Sequence, residues 1–273
     1  MDILSRLFKG IIFSNILVSF CALSLVISSQ IMSGSYNKSI SLFVFFSTLS
    51  TYNFQRIIHV KNITSKERKR WICKNKSLIY ILIVFSALIS LYYFIYLNRR
   101  TQIAIFLAGS IAILYPFGLR RVPFLKIFLI CGVWTIVTSL IIMLEDNISI
   151  KQNEFLHLAA RFAFVFAITI PFDIRDMRLD HQKLKTIPIL IGENISKIMS
   201  YSLLIISTFI YGLLLHSEHI AKNHLIGIII TFLITSTLIS QATPKRDEKY
   251  FSFWIESTSI IFCLILILSS WIV

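Results

Sequence analysis

The sequence predicts an all-α polytopic membrane protein with nine transmembrane helices, and three observations carry that prediction. Of 273 residues, 56% are hydrophobic and only 15% charged, and the mean hydropathy is +0.78, far too apolar a balance for a soluble domain of this length. The apolar residues gather into nine runs of 17 to 23 residues, the length a helix needs to cross about 30 Å of hydrocarbon at about 1.5 Å per residue. No run alternates polar and apolar positions over its length. Although isoleucine is the commonest residue in them, lipid offers no partner for an open sheet edge, so helices are expected.

The runs follow one another at 11–27, 40–58, 78–97, 101–117, 123–144, 155–172, 195–215, 224–242 and 250–272. The first follows Arg6 and Lys9, as a signal peptide would, but it exceeds the roughly 7–15 residues of a signal h-region and eight further runs anchor the chain. The sixth ends directly before three aspartates, and Arg161 near its far end is expected to snorkel to the membrane face. The ninth carries Glu256 about six residues from its start, a depth at which an ionisable group faces a cavity or a partner. Glu256 is therefore either a base on an acceptor or a counter-ion to Arg56.

Basic residues set the expected orientation. Assigned to the nearest loop, 21 of the 27 Lys and Arg fall on the side that holds the N-terminus and 6 on the other, which places the N-terminus in the cytoplasm and, after nine crossings, the C-terminus on the opposite side. The net charge of +14 is thus mainly a topology signal. The basic stretch 61–76 belongs to no recognisable nucleic-acid module, so no nucleic-acid partner is expected; attraction to membrane lipid is. The cysteines, Cys21, Cys73, Cys131 and Cys263, lack metal-ligand spacing, and three lie in apolar runs as small core residues. Without a linker of biased composition, residues 1–273 read as a single transmembrane domain.

The chemistry concentrates in Pro171-Phe172-Asp173-Ile174-Arg175-Asp176-Met177-Arg178-Leu179-Asp180. On a helix Asp173, Asp176 and Asp180 fall within roughly 60° of one another. Three like charges on one face repel unless a cation joins them, and Mg²⁺ prefers such carboxylate and phosphate oxygens. Placed at the cytoplasmic end of a span rather than at the midplane, the group points to recognition of a headgroup rather than to a transport path. The bland alternative is a solvated loop in which the acids pair with Arg175, Arg178 and Lys183.

This motif, with Lys185-Thr186-Ile187-Pro188 and Gly192 after it, resembles the second acidic motif of the UbiA-type intramembrane prenyltransferases, Asp-x-x-Asp-x-x-x-Asp followed by Thr-x-Pro and a Gly. Tyr115-Pro116, Leu119-Arg120-Arg121 and Pro123 after the fourth run, and the number of runs, also look like that family. The resemblance implies helices around a central cavity with a cytoplasmic cap. It implies a reaction in which an allylic polyprenyl diphosphate ionises and its prenyl group passes to a lipid-soluble, commonly aromatic, acceptor. Asp173, Asp176 and Asp180 would be catalytic and hold Mg²⁺, one ion or none rather than two, while Arg120 and Lys126 would contact the diphosphate and Tyr115 and Glu256 lie on the acceptor side.

The sequence departs from the family at its first acidic motif. There an Asn precedes acids at offsets one, four and eight; here Asn53 is kept, but Phe54, Ile57 and Lys61 occupy the acid positions, and none of them holds Mg²⁺. Three readings remain open. Arg56, Lys61 and His59 substitute fixed cations for metal, so that Asn53, Arg56 and Lys61 bind the diphosphate; or the second motif alone keeps one Mg²⁺ and a weaker activity; or the chain is a non-catalytic lipid- or isoprenoid-binding protein of the same fold.

Overall fold

The computed structural model describes residues 3–63, 65–114, 125–180 and 186–271, and gives backbone only for 3–6, 62 and 178–180. All of its regular structure among these residues is helical. The elements in order are α1 (Ile3–Phe13), α2 (Ile16–Ser33), α3 (Lys38–Ile58), a 3₁₀ turn (Val60–Asn62), α4 (Lys66–Lys74), α5 (Lys76–Ile95) and α6 (Arg99–Leu114). There follow α7 (Leu125–Thr135), a π-helical turn (Ile136–Leu140), α8 (Ile141–Glu145), α9 (Gln152–Asp180), α10 (Ile187–His216), α11 (Lys222–Ser240), a second π-helical turn (Tyr250–Ile255) and α12 (Thr258–Ser270).

Where described, the nine apolar runs fall mainly on helix, and seven helical segments among the described residues are long and apolar enough to cross a membrane. The other two runs lie on α3, 21 residues long and diluted by Ser, Thr, Asn and Gln, and on α6, described for 16 residues. The outer surface is itself apolar: Leu78, Ile81, Phe85, Leu88, Tyr92 and Ile95 of α5 are all more than 40% exposed. Such a face is stable only against lipid. The chain is an integral, multi-pass membrane protein.

Packing brings the helix ends together in two layers. At one end Asn98 donates to Glu145 across the α5–α6 and α8 termini (2.9 Å), and Asn223 donates to the Ser269 carbonyl (2.9 Å). At the other, which we call the acidic end because α9 delivers Asp173 there, Lys126 meets Asp173 and Arg68 meets Glu248. Between these layers, Phe164, Phe232 and Phe262 of α9, α11 and α12 stack with centroids 5.2 to 6.1 Å apart and fix the relative rotation of the three helices.

Two expectations are corrected. The first run is broken at Asn15, which takes a left-handed conformation (φ 60°) between α1 and α2; asparagine tolerates that region better than most residues. Arg161 does not snorkel. It is fully buried, with its guanidinium turned into the bundle toward Ser29 (3.0 Å) and the Leu25 carbonyl of α2 (3.4 Å) and lying 5.0 Å from the Phe262 ring centre. Three of the four cysteines are buried as expected, and Cys73 is exposed.

Gly192, expected to open a helix, instead sits at a kink within α10 at φ 83°, ψ 167°, a region that in practice only glycine occupies. An added Cβ would meet no atom within 4 Å, so the cost of Gly192→Ala is backbone strain alone. It should lower stability by about 1–3 kcal/mol, read as a lower melting temperature in detergent.

Candidate active site at the acidic end

Asp173 lies two residues after Pro171, whose missing N–H leaves α9 one hydrogen bond short just before the motif. It is 2% exposed, and its Oδ1 accepts from Lys126 Nζ of α7 at 2.5 Å. Asp176, one turn further on, accepts from Arg175 Nε (2.7 Å) and Nη2 (3.2 Å). Asp180 closes α9; its side chain, and the whole of Tyr115 and Arg120, lie outside the described residues.

Beside this face sits a second charged group. Arg68 of α4 is 4% exposed, pairs with Glu248 (Nη1 to Oε1, 2.8 Å) and donates from Nη2 to Ser252 Oγ (3.4 Å). Burial pulls its guanidinium below the usual arginine range, with Glu248 and Glu256 pulling the other way. Arg56, Arg68 and Arg175 each interact electrostatically with Glu248 and Glu256. The π-helical turn Tyr250–Ile255 helps to place two of the partners, because its wider winding turns Ser252 toward α4 and ends directly before Glu256. Glu256 is half-buried and makes no salt bridge within 4.0 Å among the described residues, so both of its expected roles stay open.

Asn53 is placed differently from its expected phosphate contact. It is fully buried, its Nδ2 donates to the Ser14 and Leu49 carbonyls (2.8 Å each), and its Oδ1 accepts from Asn15 Nδ2 (3.1 Å). The bonds to Ser14 and Asn15 latch α3 to the α1–α2 break, and the bond to Leu49 returns to α3 itself. Lys61 is exposed on the 3₁₀ turn, whereas Arg56 at the end of α3 is half-buried. Phe54 is exposed and Ile57 half-buried, so neither offers an oxygen.

Sequence reasoning missed Arg68 and Glu248. A signal existed for Arg68: it precedes Trp71 by three residues and Ile72 by four, so it shares the apolar face of a helix capped by Ser65. α4 is tied to its neighbours by a second set of ion pairs. Lys9 of α1 and Lys249 both pair with Glu67 (2.6 and 3.8 Å), and the Lys9 hydrogen bond holds the Glu67 carboxyl below the usual carboxylate range. One turn inward from Arg56, a cavity of about 110 Å³ lies between α2, α3, α6 and α7, lined by Tyr52, Thr51, Ala108 and Trp134 among others.

Among the described residues no three His, Cys, Asp or Glu side chains gather as a metal-binding group. The donor set nevertheless fits one Mg²⁺. That ion is commonly held by one or two carboxylates plus the phosphates of its substrate, and Asp173 and Asp176 supply hard oxygens at one helix end. On the α3 side Phe54, Ile57 and Lys61 bring no side-chain acceptor for a metal ion.

A helical membrane bundle with a carboxylate and guanidinium site at one end defines the class. The chain belongs to the UbiA prenyltransferase family, whose model matches residues 74–258. The matched stretch starts beyond Lys61 and so leaves out the segment that lost its acids. A UbiA homologue from Archaeoglobus fulgidus bound to GPP and Mg²⁺ is similar in fold at a TM-score of 0.68 and 13% identity, over 96% of this chain and 99% of that one. The apo UbiA homologue from Aeropyrum pernix K1 gives 0.64 at 16% identity, over 96% and 98%. A digeranylgeranylglyceryl phosphate synthase structure gives 0.62 at 14%, over 98% and 100%. No curated protein sequence matches.

Proposed function

We propose that the protein is a membrane prenyltransferase that takes an allylic polyprenyl diphosphate at the acidic end of the bundle and passes the prenyl group to a lipid-soluble acceptor, releasing diphosphate. The observation that carries this reading is the meeting of Asp173, Asp176, Lys126 and Arg175 at one helix end, beside Arg56 and Arg68. Support comes from family membership and from similar structures that hold GPP or DMAPP with Mg²⁺. Residues 1–273 form one domain of nine crossings, with the N-terminus and the site in the cytoplasm and the C-terminus on the opposite side, as the basic loops predict.

In the reaction the allylic carbon–oxygen bond breaks, the electron pair leaves with the diphosphate, and the allylic carbon bonds to the acceptor, which loses a proton. One Mg²⁺ held by Asp173, Asp176 and Asp180 would neutralise charge on the leaving diphosphate. Lys126 and Arg175, which hold Asp173 and Asp176 here, are placed to donate hydrogen bonds to phosphate oxygens when the ligand enters. Arg120 is a further phosphate contact. The walls of the cavity beside Tyr52 and Trp134 would face the prenyl group, where rings stabilise a developing cation, and Tyr115 and Glu256 would serve on the acceptor side.

A second reading, binding of an isoprenoid without turnover, is favoured by the ties that Asp173 and Asp176 already have to cations of the chain itself. The two are separated by incubating the purified protein with labelled dimethylallyl, geranyl and longer diphosphates, with and without Mg²⁺. Transferase predicts Mg²⁺-dependent diphosphate release that falls at least about 100-fold in Asp176→Asn. If no length gives release or binding and Asp176→Asn leaves the cells unaltered, the enzyme reading is abandoned.

A further inference from the structure

The cavity between α2, α3, α6 and α7 runs along the bundle, away from the acidic end. Its wall on α3 extends from Tyr52, one turn before Arg56, to Phe43 further along the helix, a span of about 13 Å at about 1.5 Å per residue. Phe43 closes it. The ring is 6% exposed, packs against Phe94 of α5 with centroids 6.1 Å apart, and joins the buried core of Ile40, Val44, Ile141 and Ile142. The hydroxyls of Ser47 and Thr138 in the wall donate to the Val44 and Trp134 carbonyls (3.3 and 2.7 Å), so they leave the lining largely apolar. From α6 the cavity receives Ala108, Gly109 and Ala112, which have little or no side chain. Gly109 is the most informative of these. Glycine weakens a helix interior, and neither a positive φ nor close packing calls for it here: an added Cβ would meet no atom within 4 Å among the described residues. What the missing side chain leaves is the space itself.

We propose that this slot selects the length of the prenyl chain and favours a geranyl-type substrate of two isoprene units, with Phe43 as its floor and Gly109 holding it open. The inference rests on the reading of the acidic end as the diphosphate site. The turn between Arg56 and Tyr52 is about 5 Å, on the order of one extended isoprene unit of four chain bonds. The unit that carries the diphosphate therefore ends where the slot begins. Length alone would admit two more units, because a van der Waals contact of about 3.5–4.0 Å with the floor leaves about 9 Å of the wall free. Volume is the tighter limit. A cavity of about 150 Å³ takes a six-carbon benzene ring, so the slot of about 110 Å³ takes one five-carbon unit. A third unit of the chain would need the room that the Phe43 ring and the core behind it occupy.

The test is equilibrium binding of labelled dimethylallyl, geranyl, farnesyl and geranylgeranyl diphosphates to the full-length protein in detergent with Mg²⁺, which needs no turnover. Wild type binds geranyl diphosphate at least about tenfold more tightly than dimethylallyl diphosphate, because five more carbons leave water, and at least about tenfold more tightly than farnesyl diphosphate, whose third unit finds no room. Gly109→Leu fills the slot and lowers the geranyl-to-dimethylallyl affinity ratio at least about tenfold; Phe43→Ala clears a ring from the floor and raises the farnesyl-to-geranyl ratio at least about tenfold. Ratios taken within one preparation cancel any loss of folded protein, and either variant decides alone if the other fails to fold. The slot is overturned by a wild type that binds farnesyl or geranylgeranyl diphosphate as tightly as geranyl diphosphate, or by a ratio that either variant leaves unchanged. Binding of every length with equal affinity overturns the slot while the diphosphate site stands, whereas binding of none overturns the diphosphate reading and the slot with it.

Discussion

Lys126→Met should destabilise the protein by about 3–5 kcal/mol, the cost of leaving a buried charge without its partner. The pair is short (2.5 Å) and sheltered, with side-chain exposures of 13% for Lys126 and 3% for Asp173. A surface pair of the same length would contribute little, since solvent screens it and both side chains lose entropy. Here the Asp173 carboxylate, 2% exposed, would stay buried without the ammonium that meets it. The double variant Lys126→Met/Asp173→Leu removes both charges and should recover most of the lost stability, while diphosphate release stays absent. Melting followed by tryptophan fluorescence in detergent checks this. A Lys126→Met protein that melts with the wild type would show that Asp173 finds another partner.

What was legible in the sequence follows from how strongly the bilayer constrains a chain. The described parts of the runs fall mainly on helix because an unpaired backbone in lipid is costly. The acid motif was legible because its spacing is local: Asp173 and Asp176 need only α9 to share a face. Their cations were not all legible in the same way. Lys126 is 47 residues from Asp173, and Arg68 is 184 residues from Ser252, so these contacts exist only after the helices pack. Net charge located the basic end but did not say which bases turn inward. Asn53 misled for the same reason. Its place in a motif suggested a ligand contact, whereas its hydrogen bonds to Ser14 and Asn15 depend on a break in the first run that no local pattern marks.

Arg161 presents the opposite case to Lys126, and the expected sign of its replacement is reversed. Its guanidinium is fully buried in the bundle, and no carboxylate accompanies it among the described residues. It makes hydrogen bonds to Ser29 (3.0 Å) and the Leu25 carbonyl (3.4 Å) and stands over Phe262, while Nε and Nη1 have no partner. Each orphaned donor costs about 1–3 kcal/mol, and the charge itself is expensive so far from water. The longer of the two hydrogen bonds is weak, and the ring contact returns about 2 kcal/mol. Arg161→Met keeps most of the volume and creates no new orphan, since Ser29 still bonds Ser139 (2.9 Å). It should therefore raise stability by about 1–4 kcal/mol, as replacement of buried charge by apolar side chains has done elsewhere. Arg161→Ala removes the same charge but opens a cavity beside Phe262, and should fall about 2–5 kcal/mol below the Met variant. The order of melting temperatures, Met above wild type and Ala below Met, separates the charge from the volume. A Met variant less stable than the wild type would mean that the guanidinium's two hydrogen bonds and its ring contact outweigh the burial of its charge.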